Sequence, residues 1–229
     1  MESDVIIRYA FTGTHTDREL YCAIESPRLR EHATRYRHTD ARLHSLLGAY
    51  CTEFCARELG LAPDMLEYDF SAKPSARGFK FNVSHTQGLA LCAASRTYEV
   101  GVDVEPIPSD TSRLTIRDNV ARRCFSRREQ QALQLIGDPS GRSAEFVRLW
   151  TAHEALGKYL GVGVFRTDVS EYVAANGLSI QHFTMKSSDG SLLPVPANAR
   201  IPTGDYYIIC VCLPEGISQM ASGDICPIG

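Results

Sequence analysis

Hydrophobic positions along the chain follow two alternating rhythms. Leu43, Leu46, Leu47, Tyr50, Phe54 and Cys55 recur every three or four residues and mark the inner stripe of a helix. That helix is predicted to run from Asp40, as N-cap, to Gly60, as C-cap. A period of two takes over in FKFNV, LALCAA and EVGVDVE, three predicted strands in succession between residues 79 and 105. SHTQG and SRTY supply the turns between them. A further strand is predicted at 4–11, ahead of a basic segment, SPRLREHATRYRHTDARLH, at 26–44.

The second half repeats the plan. A basic, partly helical stretch at 111–135 leads to a helix near 143–160 that ends at Gly161. Phe146, Leu149, Trp150, Leu156 and Leu160 form its apolar face. Strands follow at about 178–185 and 191–195, joined by the turn SSDGS, and then at 206–213. Each half is a long helix followed by strands, so the expected class is α+β, with two similar α/β lobes. The expected division is 1–102 and 103–215, with a loose tail rich in Gly, Ser and Pro at 216–229.

Composition narrows the function. The 229 residues suffice for one large domain or two small ones, and 44% apolar with 22% charged residues is ordinary for a globular chain. A formal net charge of −3 argues against a dedicated nucleic-acid binder. The opening MESDVIIRYA has no basic n-region and does not read as a signal peptide. The longest strongly apolar run, YYIICVCL, is too short to span a membrane. The eight cysteines show neither C-x-x-C nor zinc-ligand spacing. Most lie in apolar neighbourhoods, which suits reduced thiols in a cytoplasmic protein.

Chemistry is expected at EVGVDVE. Alternation puts Val100, Val102 and Val104 on one face and Gly101, Asp103 and Glu105 on the other. Two carboxylates beside a glycine are either a wet strand edge or a site that holds something positive. On the second helix Glu154 and Lys158 are four residues apart and share a face, as a surface ion pair or as part of that site. Three carboxylates together with water and phosphate oxygens would suit Mg²⁺. No P-loop or Rossmann glycine pattern supports an unrelated phosphotransferase.

These residues carry a resemblance. VGVDVE followed by LWTAHEALGKYLG is similar to the paired signature of the Sfp-type 4′-phosphopantetheinyl transferases, G-[VI]-D-x-E and W-[ST]-x-K-E-[AS]-x-x-K. Lys73–Pro74 with FNVSH at 81–85 resembles the family's K-P…F-N-[IV]-S-H block. CFSRREQQAL at 124–133 resembles its F-[FS]-x-x-E segment, and the basic segment with its helix also aligns. The likeness runs, in order, over roughly residues 24 to 165.

The resemblance implies a two-lobed fold with the active site in the cleft between the lobes, the first binding coenzyme A and the second binding the metal and the carrier protein. It implies transfer of the 4′-phosphopantetheine arm of coenzyme A to a serine hydroxyl of an apo acyl or peptidyl carrier protein, with release of 3′,5′-ADP. Such a holo-carrier synthase serves fatty acid, polyketide or nonribosomal peptide biosynthesis. By carry-over Asp103, Glu105 and Glu154 hold Mg²⁺ (or Mn²⁺), and Lys158 faces the phosphates. Glu154 or Glu129 is the base, Glu129 being otherwise a solvated helix residue. Ser84 and His85, with Lys73 nearby and Ser45 and His44 as weaker carry-overs, are placed at coenzyme A. The Arg-rich stretch 111–128 is expected to meet an acidic carrier, or to be an amphipathic helix with Leu114, Ile116, Val120 and Phe125 inward. The larger members of the family work as monomers.

Two departures stand out. The family's lysine before the metal-binding glutamate is His153 here, and its basic residue before the first helix's L-L-G is His44. His153 falls within the apolar stripe, so a packed, neutral histidine is expected, with a weakened phosphate contact as the alternative. Both departures sustain a second reading, a relative that binds coenzyme A or carrier protein with little or no transfer.

Overall fold

The computed structural model describes residues 5–13, 15–107, 114–195, 205–217 and 225–227. The chain divides into two compact units, Met1–Val100 with Ile217–Gly229, and Gly101–Gly216. The cut falls between Val100 and Gly101, inside the segment read as one strand.

The first unit opens with β1 (Ile6–Phe11), followed by helices α1 (Asp17–Ala23), α2 (Pro27–Thr34) and α3 (Thr39–Glu58). Short strands β2 (Tyr68–Asp69) and β3 (Ser75–Ala76) precede the hairpin of β4 (Lys80–Thr86) and β5 (Leu89–Ser95). LALCAA is apolar throughout because β5 lies between β1 and β4, and all seven residues of the strand are buried. The predicted turn SHTQG is shorter than expected. Ser84, His85 and Thr86 continue β4, and only Gln87 and Gly88 turn, Gly88 supplying a φ of 88°. Asp40 sits in the first turn of α3 instead of capping it, where its charge favours the positive end of the helix.

The expected loose tail needs correction at residues 225–227. They form the last strand, β10 (Ile225–Pro227), parallel to β1, whose edge would otherwise leave backbone groups unpaired. Residues 218–224 and 228–229 of that tail lie outside the described residues.

The second unit opens with β6 (Gly101–Pro106), then α4 (Leu114–Cys124), α5 (Arg127–Leu135), α6 (Pro139–Leu160) and α7 (Val169–Ala175). Strands β7 (Leu178–Lys186), β8 (Leu192–Val195) and β9 (Tyr206–Pro214) complete an antiparallel sheet ordered β6-β9-β7-β8. EVGVDVE therefore does not extend the β4–β5 hairpin, although the three runs are consecutive. Its strand pairs with β9, the apolar run of the chain's far end. In both units the leading strand lies beside the last long strand, β1-β5-β4 in one and β6-β9-β7 in the other.

Helix α6 begins earlier than the predicted residue 143. Asp138 caps it, accepting from Gly141 N–H at 2.8 Å, and Pro139 fits the first turn, where no amide donor is needed. It ends as expected at Gly161, with φ 72°. His182 on β7 bonds the Arg148 carbonyl at 3.1 Å; burial, with Arg148's charge adding to it, pushes the imidazole down to about 3. A neutral histidine thus ties α6 to the sheet.

Candidate active site

Strand β6 sets the second unit's site by its alternation. The face carrying Gly101, Asp103 and Glu105 is turned to α6, because a β-carbon on Gly101 would stand 2.6 Å from the Tyr159 amide nitrogen and collide with the Ala155 carbonyl. Glycine is what lets the helix lie that close. The room it makes is filled by α6 backbone. Val102 and Val104, on the other face, are fully buried.

The wet-edge alternative fails for Asp103, which is only 4% exposed, while Glu105 is half-buried. Lys158, reaching from α6, donates from Nζ to Asp103 Oδ1 at 2.6 Å. Glu154, one helical turn before Lys158, is half-buried, and its carboxyl is held above the usual carboxylate range. Burial is the main cause and the nearby charge of Asp103 the second, with Lys158 and His153 opposing both. Asp103, Glu154 and Lys158 thus share one electrostatic neighbourhood. Among the described residues no three His, Cys, Asp or Glu side chains are arranged as a ready-made metal cage. A Mg²⁺ site that completes its shell with water and substrate phosphates does not require one.

His153 and Glu129 belong to a different part of the unit. His153 is 2% exposed and stacks on Phe125, with centroids 4.8 Å apart. Its Nε2 lies 3.3 Å from Glu129 Oε2. Glu129 is buried too, which corrects its reading as a solvated helix residue. Its side chain accepts from the Ser126 amide at 2.8 Å, closing a capping box on α5, and from the Val169 amide at 3.3 Å, at the start of α7. Burial raises the Glu129 carboxyl, but the bonds from His153 and Ser126 more than offset it, and the net shift is downward. Ser126 Oγ in turn donates to Asp168, the cap of α7.

The Arg-rich segment spans α4 and the start of α5. Phe125 is fully buried and Val120 partly so, while Arg122, Arg123, Arg127 and Arg128 are exposed. Residues 111–113 and the side chains of Leu114 and Ile116 lie outside the described residues.

In the first unit the expected residues do not gather at one point. A cavity of about 160 Å³ is lined by Ser45, Gly48, Ala49 and Thr52 of α3, by Leu29 and His32 of α2 with Tyr36 just beyond it, and by Phe70, Pro74, Phe81, Val83 and His85. His44 stacks on His85, with ring centroids 5.3 Å apart and planes at 8°. Ser84, next along β4, points to the opposite face and is buried there, so it cannot share the cavity with His85. Reading SHTQG as a turn had hidden that alternation. Lys73 donates to Glu99 Oε2 at 2.8 Å and to the Val100 carbonyl at 3.0 Å, and Lys80 also reaches Glu99 at 2.8 Å.

Sequence reasoning missed the α2 wall. His32 is stacked on Phe70, with centroids 3.8 Å apart, and burial keeps it below the usual imidazole range. The arginines around it drew attention by charge, yet Arg28, Arg35 and Arg37 are exposed and the uncharged faces of Leu29 and His32 line the cavity. The spacing of Leu29, His32 and Tyr36 was the available signal.

Residues 99–187 match the family model described as the 4′-phosphopantetheinyl transferase superfamily. The 4′-phosphopantetheinyl transferase HetI of Nostoc sp. is 33% identical over 149 residues, covering 62% of this chain and 57% of that protein. A Synechocystis sp. protein provisionally given the same activity is 31% identical over 116 residues, covering 48% of this chain and 45% of its own. The chain thus spans only about half the length of the curated relatives it matches. Strand β6 and helix α6, with Asp103, Glu154 and Lys158, lie within the matched residues.

Proposed function

We propose that this protein transfers the 4′-phosphopantetheine arm of coenzyme A to a serine hydroxyl of an apo acyl or peptidyl carrier protein, releasing 3′,5′-ADP. The observation that carries the proposal is the Asp103–Lys158 contact beside Glu154, on a strand and helix that match the family. Asp103, Glu105 and Glu154 would hold Mg²⁺ (or Mn²⁺). The donor set suits it, being all oxygen, and the upward shift of Glu154, caused first by burial and then by Asp103's charge, fits a place where added positive charge is favoured. When bound, such an ion supplies positive charge against the pyrophosphate.

The chain's own residues do the rest. Lys158 presents an ammonium to the phosphates from within the same cluster. The serine oxygen attacks the phosphorus bearing the pantetheine arm, the bond to the departing 3′,5′-ADP breaks, and the serine proton passes to a base. Glu154 fits that role better than Glu129, which is buried, shifted downward and engaged in capping. Coenzyme A is assigned to the first unit's cavity, where Ser45 and His85 line the wall and His44 backs His85. Ser84 is withdrawn from that wall, and Lys73 would have to leave Glu99 to reach a phosphate. Exposed Arg122, Arg123, Arg127 and Arg128 suit an acidic carrier surface. Two duplicated lobes acting together in one monomer belong to the same proposal. The matching strand orders β1-β5-β4 and β6-β9-β7 support the duplication.

The test is product balance. With apo carrier protein, coenzyme A and Mg²⁺, chromatography should find 3′,5′-ADP released mole for mole with modified carrier. Coenzyme A binding without either product would support the binding-only relative instead.

A further inference from the structure

A fully buried carboxylate in the first unit has no part in the chemistry described so far. Glu53 of α3 has no exposed surface, and burying a charge costs several kcal/mol unless it is well paired. If packing alone were needed there, an apolar residue would serve. Its partners are specific. One oxygen accepts from the Ser26 amide at 2.5 Å; the other accepts from the Glu25 amide at 2.9 Å and from Arg57 Nη2 at 2.8 Å. Arg57 also reaches Glu25 Oε1 at 3.4 Å. Ser26 is the N-cap of α2, itself only 1% exposed, and its hydroxyl accepts from the Leu29 amide at 3.3 Å.

Glu53 therefore grips the backbone at the point where α2 begins. Helix α2 forms one wall of the cavity through Leu29 and His32, and α3 forms the facing part through residues on the turn just before Glu53, Thr52 among them. The side chain that sets where α2 starts also sets how far Leu29 and His32 stand from Thr52. Tyr68 stands in the same electrostatic neighbourhood. Among the described residues its hydroxyl is buried without a hydrogen-bond partner, and its acidity is suppressed first by burial and then by the charge of Glu53.

We infer that Glu53 is a positioning residue for coenzyme A: it fixes the first turn of α2 and with it the width of the cavity. This rests on the reading of the cavity as the coenzyme A site. It goes beyond that reading in assigning affinity to a residue that touches no ligand.

The experiment compares the full-length wild type with Glu53→Gln, which keeps the shape but loses the charge. KM for coenzyme A should rise about tenfold with kcat within about twofold, because the groups Glu53 bonds, at Glu25, Ser26 and Arg57, are none of those assigned to the chemistry. A second variant, Ser26→Pro, leaves Glu53 and Arg57 paired and removes the amide donor together with the capping hydroxyl, and Ser26→Ala, which loses the hydroxyl alone, is its control. The Ser26 φ of −65° is already proline's, so the backbone can accept it. It should raise the same KM in the same direction, and it decides the matter if Glu53→Gln does not fold. Unchanged KM in folded Glu53→Gln or Ser26→Pro, or equal loss of kcat and affinity, would overturn the inference. Failure of the wild type to bind coenzyme A would instead count against the cavity assignment beneath it.

Discussion

Lys158 Nζ rests 2.6 Å from Asp103 Oδ1, joining the middle of strand β6 to the last turns of helix α6. A charge-assisted bond at that distance, with Asp103 buried, is strong enough to set the side chains on both sides of it. Glu154 is half-buried and also close to Asp103, and burial first, with that second carboxylate adding to it, shifts its carboxyl upward.

A titration follows from that shift. With the folded-state value raised above the unfolded one, stability is intact below about pH 4.5 and is lost as pH rises through the folded value. Glu154→Gln should therefore match the wild type in Tm near pH 4 and exceed it at pH 7. Mg²⁺ at millimolar concentration should close that gap by raising the wild-type Tm, and should do less for the variant. Scanning fluorimetry at both pH values, with and without Mg²⁺, checks both statements.

Gly101→Ala should be among the most damaging small substitutions in the second unit. Its methyl group meets α6 backbone, which cannot swing aside as a side chain could. A cost of about 3 kcal/mol or more is expected, at the upper end of overpacking effects. Urea unfolding measures it, and a loss below about 1 kcal/mol would mean that α6 is free to shift.

Glu129 offers the contrast between fold and chemistry. Glu129→Gln should lose about 1–3 kcal/mol at pH 7, since a buried charge-assisted network is cut. Its carboxyl is shifted downward, so its contribution is present above about pH 4.5 and fades as pH falls through the lower folded value. The stability difference from wild type should shrink accordingly in acid. Under conditions where the variant is folded, kcat should stay within a few-fold of wild type. A thousand-fold loss would return the base role to Glu129.

The exposed arginines of α4 and α5 should matter for encounter. Reversing Arg122, Arg123, Arg127 and Arg128 to glutamate should raise KM for an acidic carrier protein and remove the salt dependence of kcat/KM. Coenzyme A affinity should not change. Stopped-flow or steady-state kinetics across a range of NaCl concentrations reads this out.

How much was legible beforehand depended on whether a signal was local. Helix α6 and strand β6 were readable because their periodicity, glycine and paired charges lie within short windows. The partner of β6 was not, because β9 lies about a hundred residues away and nothing in either run names the other. Ser84 was misplaced by a turn drawn too long, which erased the alternation separating it from His85. Glu129 and Glu53 were illegible as buried carboxylates because each is stabilised by amides brought in from another helix. His153 was placed correctly in the core by its position on the helix stripe, but its contact with Glu129 required the fold.

The central claim is best tested by intact-mass spectrometry of an apo carrier protein incubated with this protein, coenzyme A and Mg²⁺. Wild type should convert the carrier to its phosphopantetheine adduct, while folded Asp103→Ala and Glu154→Ala proteins should leave it unmodified over the same time. Adduct formation by either variant at the wild-type rate would contradict the site, and no adduct from a wild type that binds coenzyme A would contradict the transferase reading.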